Sequence, residues 1–251
     1  MINAFACFDT ESAKEIPKNF EGDPWQFAPL GMTVGVVSIR KGKQFATKAF
    51  YTSEGKNTYE GTGFKRKKLT SKVYAPQAST QTVDEMIDFL KEIADAGIPI
   101  FTWCGASFDW RLLAEEGSKR SRCQSLCRKH FDLGYQFLMD KGYLISLNSA
   151  AEHLGIQKTA GVTGIEAPRM WKDTPGMVID YCKQDVRVTD AVVAAALLDG
   201  RLSWHARSGR PNSWKFKQLL EVEEVRKLSL PDQSWMSSCI DPVAFSSWSF
   251  E

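Results

Sequence analysis

The stretch ACFDTES, residues 6–12, decides the fold. In an extended chain, residues two apart point to the same face. Phe5, Cys7, Asp9 and Glu11 therefore share one face, and Ala4, Ala6, Phe8 and Thr10 the other. This is a buried strand whose end carries two carboxylates side by side. Such a pair is costly unless positive charge sits between them, so the rest of the chain has to supply that charge or hold a cation in its place.

Outward from this strand, a loop with Pro and Gly spans residues 17–31. MTVGVVSIR (32–40) and KQFATKAFYT (43–52) follow as strands joined through KGK. Residues 53–80 are polar and predict a loop or an excursion from the core. TVDEMIDFLKEIADAG (82–97) predicts a helix capped by Thr82, with Glu85 three residues on, and stopped at Gly97. IPIFTW (98–103) is a short buried strand and SFDWRLLAEEG (107–117) a helix. FDLGYQFLMDKG (131–142) and LNSAAEHLG (147–155) predict two more helices, and MVIDYCKQDVRVTDAVVAAALLDG (177–200) the longest. Consecutive strands followed by a helix–strand–helix crossover make an α/β chain, a mixed sheet with helices packed on it.

The 251 residues, 43% of them hydrophobic, suit one large domain or a domain with an extension. No apolar run approaches the roughly 18–20 residues needed to span a bilayer, so no membrane contact is expected. MINAFACFDTES lacks the basic region of a secretory signal. The six cysteines follow no framework spacing, which predicts reduced thiols and a cytoplasmic protein. A formal net charge of +2 says little about partners.

Two further acids stand out. Val178, Tyr181, Cys182, Asp185, Thr189, Val192 and Ala196 share one mostly apolar helix face, so Asp185 points inward and needs hydrogen bonds or a cation. Alone, it is equally an Asp satisfied by Tyr181 or an Arg. Asp109 falls in the first turn of its helix, where the dipole favours any acid. Taken in order, the three pieces are more specific. FDTES, GASFDWRLL and YCKQDVRVT resemble the three motifs of the DEDD superfamily of 3′–5′ exonucleases, in the ribonuclease H-like fold. Tyr181 stands four residues before Asp185, as in the tyrosine subclass; the histidine subclass has His five before, where this chain has Asp180. The resemblance covers residues 1–200 and is greatest to stand-alone relatives of the proofreading domain of family-B DNA polymerases. It implies an exonuclease domain at 1–200, with a Trp-rich extension at 201–251 wrapping back on it.

The resemblance also implies a chemistry. Asp9, Glu11, Asp109 and Asp185 would hold two Mg²⁺ or Mn²⁺ ions, hard cations that prefer oxygen ligands. Tyr181 would orient the attacking water, since a phenol near pKa 10 is a poor base at neutral pH. Terminal phosphodiesters of DNA or RNA, expected as a single-stranded 3′ end, would be hydrolysed to nucleoside monophosphates. Thr10, Cys104 and Phe108 would contact substrate. One departure is visible: relatives commonly carry Asn where Cys104 stands, which bears on substrate grip rather than on metal. The alternative is a nucleic-acid-binding module of the same fold with weak or no turnover, or a scaffold whose acids are ion-paired.

Basic windows without acids lie at 63–72, 117–130 and 201–217. Each is either a phosphate footprint or a solvated face. In the third, Trp204, Trp214 and Phe216 interleave with the cations, either to stack on bases or to pin the extension to the core. Cys123, Cys127 and His130 form half of a zinc pattern with nothing to complete it. The Gly residues of GVTGIEAPRMW (161–171) are expected to shape a loop before the last helix.

Overall fold

The computed structural model describes the backbone of residues 3–17, 20, 22–60, 67–156, 163–206 and 208–251, and the side chains of these except 56–60 and 67–70. Strand β1 (Ala4–Ser12) is followed by a 3-10 turn (Pro24–Phe27), then β2 (Met32–Lys41) and β3 (Gln44–Phe50). β4 (Ser53–Glu60) and β5 (Lys67–Tyr74) precede α1 (Thr80–Asp95), β6 (Ile100–Thr102), α2 (Asp109–Glu116) and α3 (Arg120–Lys129). β7 (Phe131–Asp132), α4 (Leu133–Lys141), α5 (Leu147–His153), α6 (Ala167–Asp173) and α7 (Pro175–Asp199) follow. The chain closes with β8 (Arg201–His205), β9 (Pro211–Lys215), α8 (Val222–Val225) and a 3-10 turn at Ser247–Phe250.

The main sheet has five strands in the order β3-β2-β1-β6-β7. β1 is its centre, antiparallel to β2 and parallel to β6. The alternation in β1 separates two cores. Ala6 and Phe8 pack with α1, α2 and α3 residues such as Met86, Leu90, Trp110 and Leu126. Phe5 and Cys7 pack with Trp171 of α6 and Val178, Cys182 and Val186 of α7. The sheet is thus a middle layer between two helical layers. Gly35 on β2 permits the closest approach: a Cβ there would lie 2.3 Å from the Met86 sulfur of α1.

β1 pairs with β6 only at Ala6 and Cys7, so its last residues run beyond that neighbour. On the other side Asp9, Thr10 and Glu11 stay paired with Val36, Gly35 and Val34, and a register irregularity falls between Glu11 and Ser12. The carboxylate end of the central strand is therefore held by β2 along one edge and pairs with no strand along the other, where the Thr10 N–H donates to Asp109 Oδ1 instead.

Several elements differ from expectation. Residues 53–80, expected as a loop or an excursion from the core, contain the two-stranded ribbon β4–β5, a sheet separate from the main one, in register from Ser53 opposite Tyr74 to Glu60 opposite Lys67. Its Lys-, Ser- and Thr-rich strands carry no apolar alternation, so periodicity gives no sign of it. Helix α1 starts earlier than predicted because Ser79, not Thr82, caps it: the Ser79 hydroxyl accepts the Thr82 N–H at 3.2 Å. α3 occupies the middle of the basic window 117–130. α6 replaces part of the expected loop 161–171, started by Pro168 in its first turn; residues 161 and 162 lie outside the described residues.

Beyond α7, the β8–β9 hairpin buries Trp204 and Trp214 against Phe137, at centroid distances of 5.2 and 5.5 Å. Trp248 is buried in the first core and its indole N–H donates to the Ala106 carbonyl at 2.7 Å.

Candidate active site

Asp9 and Glu11 leave β1 on the α7 side. α7 returns Tyr181, Cys182 and Asp185 to them because residues three and four apart share one face of a helix. The Cys182 thiol donates weakly to the Asp9 main-chain carbonyl and to Asp9 Oδ2, both at 3.5 Å. One donor atom from each of Asp9, Glu11 and Cys182 lies within 4.8 Å of the others. Tyr181 hydrogen-bonds Asp185. Burial pushes the Tyr181 phenol far up, and the charges of Asp185, Glu11 and Asp9 push it further. It is therefore a neutral hydroxyl that donates. The same causes, burial first and then Asp9, Glu11 and Asp185, raise the Cys182 thiol.

These groups open onto a cleft of about 430 Å³. Asp9, Glu11, Tyr181 and Asp185 form its acidic wall, with Thr10 and Ser12 beside them. Ile16, Pro17, Phe20, Phe108, Ile165 and Pro168 form an apolar wall, and Lys14 supplies a cation at its rim.

Asp109 reaches the site from the other side of the sheet. It opens α2, and its Oδ1 accepts both the Thr10 N–H at 2.8 Å and the Thr10 hydroxyl at 2.6 Å. Only 5% exposed, it stands behind Thr10 and does not line the cleft. Burial raises its pKa to about 7, although the two Thr10 bonds pull it down. The turn before it is built on Asp132. The Asp132 carboxylate accepts the N–H of Cys104 at 2.8 Å, of Ala106 at 2.8 Å and of Tyr135 at 3.0 Å.

Cys104 sits at φ +64°, the left-handed region. A Cβ on Gly134 would lie 2.4 Å from its sulfur, so the thiol packs on that glycine. Cys104 is not among the cleft-lining residues, whereas Thr10 and Phe108 are.

Of the predicted site residues, Asp9, Glu11, Tyr181 and Asp185 thus meet in one cleft, and Asp109 joins through Thr10. Sequence reasoning missed Asp132, hidden as an ordinary helix cap, and the partnership of Cys182 with Asp9. A thiol one place after Tyr181 on the inward face was the available sign of the latter.

The basic windows fare differently. In 117–130, Lys119 and Arg122 pair with Asp88, and Arg120 with Glu115. These three cations hold the start of α3 to α1 and α2. In 201–217, the buried Trp204 and Trp214 are structural, and the Trp214 indole donates to Asp140 at 2.9 Å. In 63–72, residues 63–66 lie outside the described residues and 67–72 belong to β5. Cys123, Cys127 and His130 are buried, and the His130 ring bonds Thr102 and the Cys127 carbonyl, so they do not converge on a metal.

A mixed five-stranded sheet between helices, with acids gathered at the end of its central strand, is the ribonuclease H-like architecture. The family model described as the RNase_H superfamily matches residues 45–197, and the chain belongs to that superfamily. The match runs from β3 into α7, so it contains Asp109, Tyr181 and Asp185 and leaves Asp9 and Glu11 ahead of it. No curated protein matches the chain. Enzymes of the superfamily are usually nucleases that act on nucleic acid with divalent metal ions. The donors here fit such ions: carboxylate oxygens of Asp9 and Glu11 converge, with Asp185 in the same wall. Among the described residues, no helix is long and apolar enough to cross a membrane.

Proposed function

We propose that the protein is a 3′–5′ exonuclease of the tyrosine subclass, releasing nucleoside monophosphates from single-stranded DNA or RNA. The observation that carries this reading is the convergence of Asp9, Glu11, Asp185 and Tyr181, from two distant segments, on the acidic wall of one cleft.

Asp9, Glu11 and Asp185 would hold the divalent ions, Mg²⁺ or Mn²⁺, and Asp109, set back behind Thr10, would act on the second ion through water. When bound, such ions neutralise charge on the phosphate and lower the pKa of water. The protein's own groups do the rest. Tyr181, kept neutral, donates its one proton to Asp185 and orients the attacking water by accepting a hydrogen bond from it; it does not remove a proton. Phe108, Phe20 and Ile165 offer an apolar face for the terminal base, and Lys14 a cation for phosphate. Thr10 and Asp109 fix the end of β1, so that Asp9 and Glu11 keep their direction.

The test is a pair of single strands, labelled at the 3′ or the 5′ end, incubated with Mg²⁺ or Mn²⁺ and then with chelator. The expected outcome is early release of the 3′ label as mononucleotide, with stepwise shortening of the 5′-labelled strand, both stopped by chelator and by Asp9→Ala. Tight binding without shortening would instead make the chain a nucleic-acid-binding module.

A further inference from the structure

Behind the acidic wall of the cleft, and not lining it, lies one donor that a hard cation does not use. Cys182 is fully buried and its thiol is aimed at Asp9, with sulfur 3.5 Å from Oδ2. Mg²⁺ and Mn²⁺ take oxygen ligands, whereas thiolates select softer ions such as Zn²⁺. In a tetrahedral zinc site, Zn–S of about 2.3 Å and Zn–O of about 2.0 Å set sulfur and oxygen about 3.5 Å apart. That is the separation already present between Cys182 and Asp9. Glu11 lies on the same strand face, with a carboxylate oxygen within 4.8 Å of both. Among the described residues, this is the one group of three such donors.

We propose that Asp9, Glu11 and Cys182 form a thiophilic metal site that binds Zn²⁺ in preference to Mg²⁺, and that the zinc form is inhibited. The inference rests on the reading of Asp9 and Glu11 as metal ligands. On binding, the S–H bond of Cys182 breaks, a Zn–S bond forms and the proton passes to water; no electron is transferred. Inhibition follows because the carboxylates that serve hydrolysis are then committed together with a thiolate. Zinc is held by coordination alone, so its removal by chelator restores activity.

Co²⁺ reports the site directly, since a thiolate ligand gives a near-ultraviolet charge-transfer band. Full-length protein is titrated with Co²⁺, then with Zn²⁺ as competitor. The expected result is one band per chain, displaced by Zn²⁺ and absent from both Cys182→Ala and Asp9→Asn. Cys182→Ala should weaken Zn²⁺ binding by more than the ~10–100-fold that loss of a mere outer partner costs. A band that survives in Cys182→Ala, or unchanged Zn²⁺ affinity in that variant, overturns the proposal. The Mg²⁺-induced rise in melting temperature and the release of 3′ label are measured on the same preparations. Band present with no label release sinks the exonuclease reading and leaves the zinc site standing. Label release with no band does the reverse.

Discussion

Helix α7 carries two inward aspartates whose surroundings are opposite. Asp190 is buried against β2, where the Arg40 guanidinium bonds it, with Nε at 2.7 Å. Burial raises the Asp190 carboxyl and Arg40 pulls it back. Less than two turns earlier, Asp185 joins Asp9 and Glu11, and here the carboxylates together push up the phenol and the thiol between them. The middle of one helix thus anchors the sheet by pairing charge at Asp190 and gathers like charge around Asp185. A fold does not need the second arrangement for its own stability. Carboxylates gathered in a cleft around groups whose titration they shift mark a candidate functional site.

That contrast can be broken by mutation. The largest effect is expected on turnover: Asp9→Asn or Asp185→Asn should lower 3′ nucleotide release by at least about 10³-fold, because several kcal/mol of charge stabilisation depend on these ligands. The same variants should melt no lower than wild type in chelator, since a crowded charge is removed. Arg40→Met should do the opposite. It leaves Asp190 buried without its cation and should cost about 3–5 kcal/mol in urea unfolding, while the metal-induced rise in melting temperature persists. If both positions respond alike, the division of α7 into two regions is wrong.

Tyr181→Phe separates orientation from metal binding. Loss of one hydrogen bond at the reacting water, about 1.5–3 kcal/mol for a charged partner, predicts a fall in turnover of about 10–100-fold. Mg²⁺ binding, followed by the melting shift, should not change. Asp109 gives a pH signature. It titrates at about 7 in the fold but near the ordinary carboxylate value of about 4 when unfolded. Between these values the folded state keeps a proton that the unfolded state has released, so stability falls as pH rises from about 4 to about 7. The slope is at most about 1.4 kcal/mol per pH unit, and urea midpoints at pH 5 and pH 8 in chelator should show it shrinking in Asp109→Asn. The smallest effect is expected at Cys104. Glycine accepts its φ of +64° without strain, so Cys104→Gly should raise stability by about 0.5–1 kcal/mol; a lower melting temperature would mean that thiol packing on Gly134 outweighs the backbone.

The sheet and the site were legible to different degrees. β1, β2, β3 and α7 carry long apolar patterns, so their existence and inward faces could be read directly, down to Tyr181 and Asp185 on one stripe. The ribbon β4–β5 could not, because its strands satisfy their own backbones with little apolar surface to show for it. α3 was obscured by its charges, which look like a nucleic-acid footprint until Asp88 and Glu115 are placed opposite them. Within the site, the order of the acids carried the resemblance, but spacing along the chain does not reveal depth. Asp109 stands behind Thr10, and Cys104 turns to Gly134, because Asp132 ties the intervening turn through three N–H groups. Asp132 is remote from that turn in sequence and resembles any helix cap, so nothing local announces it.

The most direct test of the account compares wild type with Asp9→Asn on a 3′-labelled single strand in Mg²⁺. Mononucleotide released by wild type, and lost in the variant while its fold and melting temperature are kept, is the predicted result. Equal release by the two proteins, or cleavage that starts inside the strand, would contradict it.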